Sequence, residues 1–268
     1  MPFLHNSVHL WRVWRAGVRV NIIREIAFRA NFIFGITRQV LWLATFIFFI
    51  EVVFRNTETL AGWNQAEVLV VLALSRLIEG LINTLFSQNI MGLPELVQKG
   101  TFDFYLTKPV PAQFYMAFRN FSLYNVGNVV AGIVLLFYAV WHLPQFPSPS
   151  SWGLFVVLAA CGITIYYSLL IMVSSLVFYL ERLEALWGFM VLFSEPLTVP
   201  FDVFPRTPRL TLTYLIPIAF VVFVPAQTLT GRLVWWQVPV ALIITGIFLT
   251  LANLAWRAGL RRYSSASS

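Results

Sequence analysis

A chain of 268 residues carries 18 Lys and Arg against 11 Asp and Glu, so only 11% of it is charged while 59% is hydrophobic and the mean hydropathy is +0.78. Soluble domains run at about 25% charged, so this chain has too little polar surface to coat a water-soluble fold, and intrinsic disorder, coiled coil and a disulfide scaffold are excluded with it. It is composed for a bilayer.

In chain order, the first feature is Leu10 to Ala30. Arg12, Arg15, Arg19, Arg24 and Arg29 interrupt its apolar stretches, so no h-region of about 7–15 residues precedes a small-residue cleavage site, and the segment is expected to stay on the mature protein. At about 100° per residue, Trp11, Trp14, Val18 and Ile22 share one narrow arc bordered by Arg12, Arg15 and Arg19. This is the pattern of an interfacial helix along the cytoplasmic leaflet. Val13, Ala16 and Val20 on its far face leave burial against other helices as the alternative.

Crossing a hydrocarbon core about 30 Å thick takes about 20 apolar residues. Six predicted spans meet that length: Asn31 to Phe54, Glu67 to Phe86, Phe114 to Trp141, Trp152 to Phe178, Leu183 to Val203 and Val234 to Trp256. None shows the alternation of barrel strands, and open strands would leave backbone groups unpaired in lipid, so the expected fold is an all-α integral membrane protein of six transmembrane helices. The single cysteine, Cys161, lies in the fourth run, where a small buried hydrophobe is the ordinary reading. His5, His9 and His142 offer no zinc-ligand spacing. No GxSxG elbow and no recognisable pair of facing carboxylates supports a membrane-embedded enzyme.

Within the second span, Arg76, Glu79 and Asn83 are spaced to share one helical face. Charge at this depth must pair or face a cavity. An Arg76–Glu79 ion pair that fixes helix rotation is favoured over a proton relay, because no other span offers a deep acidic partner. Glu195, just before Pro196 in the fifth span, either lines an outer vestibule or reaches the headgroups, and the latter is favoured.

The loop between the second and third spans is too apolar for a flexible linker. Pro94 suits the first turn of a short helix, Glu95 and Lys99 complement its two dipole ends, and Gly100 can end it in the left-handed conformation. Phe102, Phe104, Tyr105 and Leu106 follow, and apolar side chains there need a headgroup layer or a protein partner.

Later, Tyr214 to Thr230 is apolar but about 17 residues long and is cut by Pro217 and Pro225. With its flanks, Pro205 to Arg232, it is read as a re-entrant or interfacial excursion on the outer side. Under this layout 13 basic residues fall on the side of both termini and of the Gln88 to Gln113 loop, against four (Arg55, Arg206, Arg209 and Arg232) on the other, with Arg76 inside a span. The bias places both termini in the cytoplasm, and it accounts for the net charge of +7 by topology and anionic headgroups with no nucleic acid.

Three strings carry a resemblance: Gly100-Thr-Phe-Asp103-Phe-Tyr-Leu106-Thr-Lys108-Pro109; Ile216-Pro-Ile-Ala-Phe220 with Val224-Pro-Ala226; and Trp256-Arg-Ala-Gly259-Leu-Arg-Arg-Tyr263-Ser-Ser-Ala266. In these and in its layout the chain resembles the ABC-2-type permeases, in the branch of ABC transport permease components. The resemblance implies one transmembrane domain over residues 1–268, with a cytoplasmic elbow helix, a coupling helix at 91–106, an outer re-entrant hairpin at 205–232 and a dimeric pore. The chain would be a cell-membrane exporter subunit working with a second permease subunit, identical or paralogous, and with separate ATPase subunits that hold ATP and Mg. Glu95, Lys99, Gly100, Phe102, Asp103, Tyr105, Leu106, Lys108 and Pro109 would form the ATPase-coupling element. The residues agree on one point independently: Lys99 and Lys108 are the only lysines and neither follows a glycine, so no P-loop exists and the chain by itself has no means of hydrolysing ATP. An ion-coupled secondary transporter is the alternative.

Overall fold

The computed structural model describes residues 29–122, 125–180, 188 and 195–263. Almost all of the segment Leu10 to Ala30, and the body of the fifth predicted span, Leu183 to Val203, lie outside them. Among the described residues the fold is helical, and its β component is one isolated bridge between Leu60 and Trp63.

Helix α1, Arg29–Asn56, contains the first predicted span and overruns it at both ends. Helix α2, Gln65–Ile82, starts at a capping box: the Asn64 side chain accepts from the Glu67 amide at 3.0 Å, and the Glu67 carboxylate accepts from the Asn64 amide at 2.8 Å. The second span does not stop at Phe86 as expected. A π turn at Asn83–Ser87, then α3, Gln88–Met91, and α4, Leu93–Gln98, carry helical backbone through 34 residues, Gln65 to Gln98. The coupling helix expected at 91–106 is therefore two pieces. Its first half continues the second span and ends at Gly100, where φ is +68°, and its second half is α5, Asp103–Leu106.

The third predicted span, Phe114 to Trp141, is interrupted. Helix α6, Ala112–Phe118, and α7, Val126–Trp141, are separated at a polar run holding Arg119, Asn120, Ser122 and Asn125. The Ser122 amide leaves the helical ladder to donate to the Thr84 carbonyl at 3.2 Å, and the Asn125 side chain donates to the Ser122 hydroxyl. Local polar partners here outcompete helix continuation. Helix α8, Pro149–Ser174, opens on Ser148, whose hydroxyl accepts from the Ser151 amide, and it tightens into a 3₁₀ turn at Ser175–Phe178. The described end of the fifth predicted span is not α-helical; it is made of 3₁₀ turns at Glu195–Thr198 and Phe201–Val203. Helix α9, Arg206–Leu210, with a π turn at Thr211–Leu215, bends by 72° into a 3₁₀ turn at Ile218–Phe220 and helix α10, Phe223–Leu229. The sixth run extends past Trp256, as α11, Gln237–Arg262.

Among the described residues four helices are thus long and apolar enough to cross a bilayer, or five if the bent pair 206–229 counts as one, against the six expected. The difference has two sources: the third run is broken into pieces too short, and most of the fifth lies outside the described residues.

Helix α2 is the centre of the bundle, with Val68 to Leu74 buried throughout. It meets α7 at glycines on both sides. A Cβ on Gly132 would lie 2.5 Å from the Leu77 amide nitrogen, and one on Gly80 would lie 2.7 Å from that of Val129. Without a hydrophobic force between helices in lipid, this small-residue contact and its dispersion energy are what hold such a pair. Helices α1 and α11 lie at the edge and remain mostly exposed, as lipid-facing helices do.

Candidate functional site

The chain past α4 folds back on itself to make the predicted coupling element. The Phe102 amide and the Thr101 hydroxyl both donate to the Leu96 carbonyl, at 3.1 and 3.3 Å, satisfying the helix end that Gly100 turns away from. This fold-back drives the Phe102 ring inward. It is fully buried, with ring centroids 5.3 Å from Tyr263, 5.6 Å from Phe178 and 6.2 Å from Trp256. The exposure expected of Phe102 is therefore not found; it is a core residue joining the hairpin to the feet of α8 and α11. Tyr105 is half-buried beneath the Arg119 guanidinium, 4.9 Å from the ring. Glu95 and Lys99 form an exposed ion pair at 2.5 Å, while Phe104 is 70% exposed and Leu106, Lys108 and Pro109 are exposed beside them in the chain. Asp103 and Gly100 are half-buried. The hairpin thus presents Glu95, Lys99, Phe104, Leu106, Lys108 and Pro109 outward, and Phe102 inward.

In α2, Arg76 and Glu79 come together as their spacing predicted, at 2.6 Å. The sequence did not reveal the third member: the Arg76 guanidinium lies over the Trp42 ring of α1 at 3.8 Å. The cation is held between a carboxylate on its own helix and an aromatic face on the next, which also ties α1 to α2.

At the far end of α2 from the hairpin, one tryptophan gathers both ends of the segment Pro205 to Arg232. The Trp63 indole donates to Asp202 at 2.9 Å, Asp202 pairs with Arg209 at 2.9 Å, and the Arg232 guanidinium lies 4.7 Å from the Trp63 ring. Arg232 also donates twice to the Glu67 carboxylate, at 2.7 and 2.9 Å, and once to the Gly62 carbonyl at 2.7 Å. Between these anchors the segment reaches the middle of α8, where a Cβ on Gly162 would lie 2.7 Å from the Val221 Cα. Its start and its finish sit at the same end of α2. Pro217 occupies the bend, and Pro225 falls in the first turn of α10, where its missing amide is not needed. The Glu195 side chain lies outside the described residues. Glu67 and Arg232 escaped the sequence reading because they stand 165 positions apart and neither sits deep in an apolar run.

A second feature missed by sequence is a polar cavity of about 160 Å³ beside the π turn, at the break between α6 and α7. Among the described residues no group of three or more His, Cys, Asp or Glu comes together to hold a metal.

In comparison with known proteins, a family profile described as ABC-2 family transporter protein matches residues 40–267. Neither a curated protein nor a solved structure matches the chain.

Proposed function

The chain belongs to the ABC-2 family of transporter membrane proteins and is a membrane permease component of an ABC transporter; we propose that it serves an ATP-driven exporter, pairing with a second permease subunit, identical or paralogous, to form the translocation path. Membership implies association with ABC ATPase subunits, which would carry the ATP and Mg that a chain without a P-loop has no means to use. The observation that carries the docking assignment is the division of labour in the hairpin. Phe102 roots it in the bundle, and Phe104 and Leu106 stand out of it with charged Glu95, Lys99 and Lys108 around them. An exposed aromatic anchor within a charged rim suits a protein partner.

The proposed topology keeps six crossings, with α6 and α7 as one interrupted crossing, the run Leu183 to Val203 as the fifth, and Leu10 to Ala30 as an elbow helix on the cytoplasmic leaflet. The basic-residue bias then puts both termini and the hairpin in the cytoplasm of the cell membrane. The segment 205–232 becomes an outer re-entrant hairpin, a reading supported by its return to Trp63. ATP-driven closure of the ATPases would move the cytoplasmic hairpin and, through the Phe102 rings, the feet of α8 and α11, shifting the path between inward-open and outward-open states. The pairing of Arg76 with Glu79 at 2.6 Å, with the Trp42 ring over the cation, supports a structural role for this group over ion coupling.

The test is to purify the chain from its native membrane and identify every associated polypeptide. A co-purifying P-loop ATPase whose turnover drives export into proteoliposomes is expected. Gradient-driven transport by the chain alone, without nucleotide, would overturn the proposal.

A further inference from the structure

The polar cavity does not belong to the hairpin, to the Arg76 pair or to the clasp that Trp63 and Glu67 make with Asp202 and Arg232. It opens where α2 widens into the π turn, a distortion common at functional sites, and where α6 and α7 part. Asn83, Thr84, Gln88, Asn89, Asn120 and Ser122 line it, and Phe121 adds the one aromatic ring. Its chemistry is amide and hydroxyl; no ionisable side chain lines it. Thr84 and Asn89 are almost wholly enclosed, at 4% and 3% exposure, and each keeps one side-chain oxygen with no hydrogen-bond partner among the described residues, Thr84 Oγ1 and Asn89 Oδ1. The other end of the Asn89 amide is committed, since its nitrogen donates to the Ala117 and Asn120 carbonyls, both at 2.8 Å. That fixes Oδ1 as an acceptor left in the wall. Buried oxygens are rarely left unpaired in folded proteins, so two beside one polar cavity call for partners inside it, water or a ligand that displaces water.

The lining selects the ligand's class. A phosphate or carboxylate would meet the Asn89 acceptor and no cation, and an ammonium or metal ion would meet no carboxylate. Hydroxyl groups donate and accept, as do the amides that face them. Size narrows it further: about 160 Å³ is below the roughly 300–1,000 Å³ of pockets for drug-sized ligands. At about 30 Å³ per liquid water it equals some five waters. We infer that this cavity binds a neutral polyhydroxyl group, one sugar ring or a small polyol, either as a lipid headgroup or free in solution.

The inference does not depend on ATPase docking and is tested without nucleotide. The full chain is purified in a zwitterionic detergent, which avoids sugar headgroups, and placed in phosphatidylcholine nanodiscs. One arm measures radiolabelled glucose by equilibrium dialysis; the other dopes the nanodiscs with monoglucosyl diacylglycerol and counts retained lipid by native mass spectrometry. Saturable binding is expected in at least one arm, glycolipid alone marking the headgroup source and glucose the free one. It should fall about tenfold in Thr84→Val and in Asn83→Leu, the order of one lost hydrogen bond, with unchanged thermal midpoints. Should Thr84→Val fold poorly, Ser122→Ala replaces it. Glucose 6-phosphate should bind more weakly than glucose. No binding in either arm, binding indifferent to the lining substitutions, or phosphate ester bound as well as glucose would each overturn the assignment.

Discussion

Two phenylalanines two positions apart separate a structural role from the proposed docking role of the hairpin at 93–106. Phe102 has no exposed surface and packs against three rings from the ends of α8 and α11, whereas Phe104 is 70% exposed. Phe102→Ala should cost about 3–5 kcal/mol, as for other fully buried aromatics, with about 0.5–1.5 kcal/mol of it from each ring pair. Set against a total of about 5–15 kcal/mol for a typical fold, that is a large loss, and it falls where the hairpin joins α8 and α11. Phe104→Ala removes almost no packing and should change stability by less than about 0.5 kcal/mol. If Phe104 anchors the ATPase, Phe104→Asp should lose about 2 kcal/mol of docking, which is about 30-fold in affinity. The assay is a pair of readings on each variant: the thermal midpoint of the chain alone and the amount of ATPase retained on it. Phe102→Ala should move the first, and Phe104→Asp only the second. A wild-type midpoint for Phe102→Ala, or wild-type ATPase retention by Phe104→Asp, would refute the reasoning.

Three further outcomes are expected. Glu67→Gln should weaken the two bonds from Arg232, each charge-assisted bond being worth about 1.5–3 kcal/mol, so a cysteine at buried Thr228 in a Cys161→Ala background should react with a thiol reagent at least about tenfold faster; an unchanged rate would mean the clasp does not hold the hairpin. Glu79→Leu alone should strand the Arg76 cation at about 3–5 kcal/mol, whereas Arg76→Met with Glu79→Leu should recover most of the expression lost; a well-folded double variant that no longer transports would make the pair functional. Cysteines at Thr207 and at Trp235 should both be labelled from outside by an impermeant reagent and one at Lys108 only from inside, and labelling of 207 and 235 from opposite sides would mean that the segment crosses.

What the sequence revealed was whatever is written in consecutive residues. Long apolar runs marked α1, α8 and α11, Gly100 marked the end of α4, and Pro217 marked the bend in the segment 205–232. Spacing along one helix was enough for Arg76 and Glu79. What stayed hidden depends on partners distant in the chain. Apolar counting passed through Arg119, Asn120 and Ser122 because it does not see that Thr84 and Asn89 wait across the bundle to bond that backbone. In a row of aromatics, composition does not say which ring turns inward; the Leu96 carbonyl, by drawing in the Phe102 amide, decides it. Glu67 read as the first residue of a span, and only the fold brings Arg232 to it.

The run of helical backbone from Gln65 to Gln98 has 34 residues. At about 1.5 Å per residue it is about 51 Å long, some 20 Å more than a hydrocarbon core of about 30 Å. Such a rod is longer than the core is thick: under the proposed topology, with Glu67 at the outer headgroups, its foot would stand clear of the lipid on the other side. In that topology it would work as a crankshaft. Torque applied at α4 would reach the capping box at Asn64 and Arg232 along one run of helical backbone, turned once at Gly92. The π turn at Asn83–Ser87, with its wider and looser ring, is where part of that twist can be absorbed.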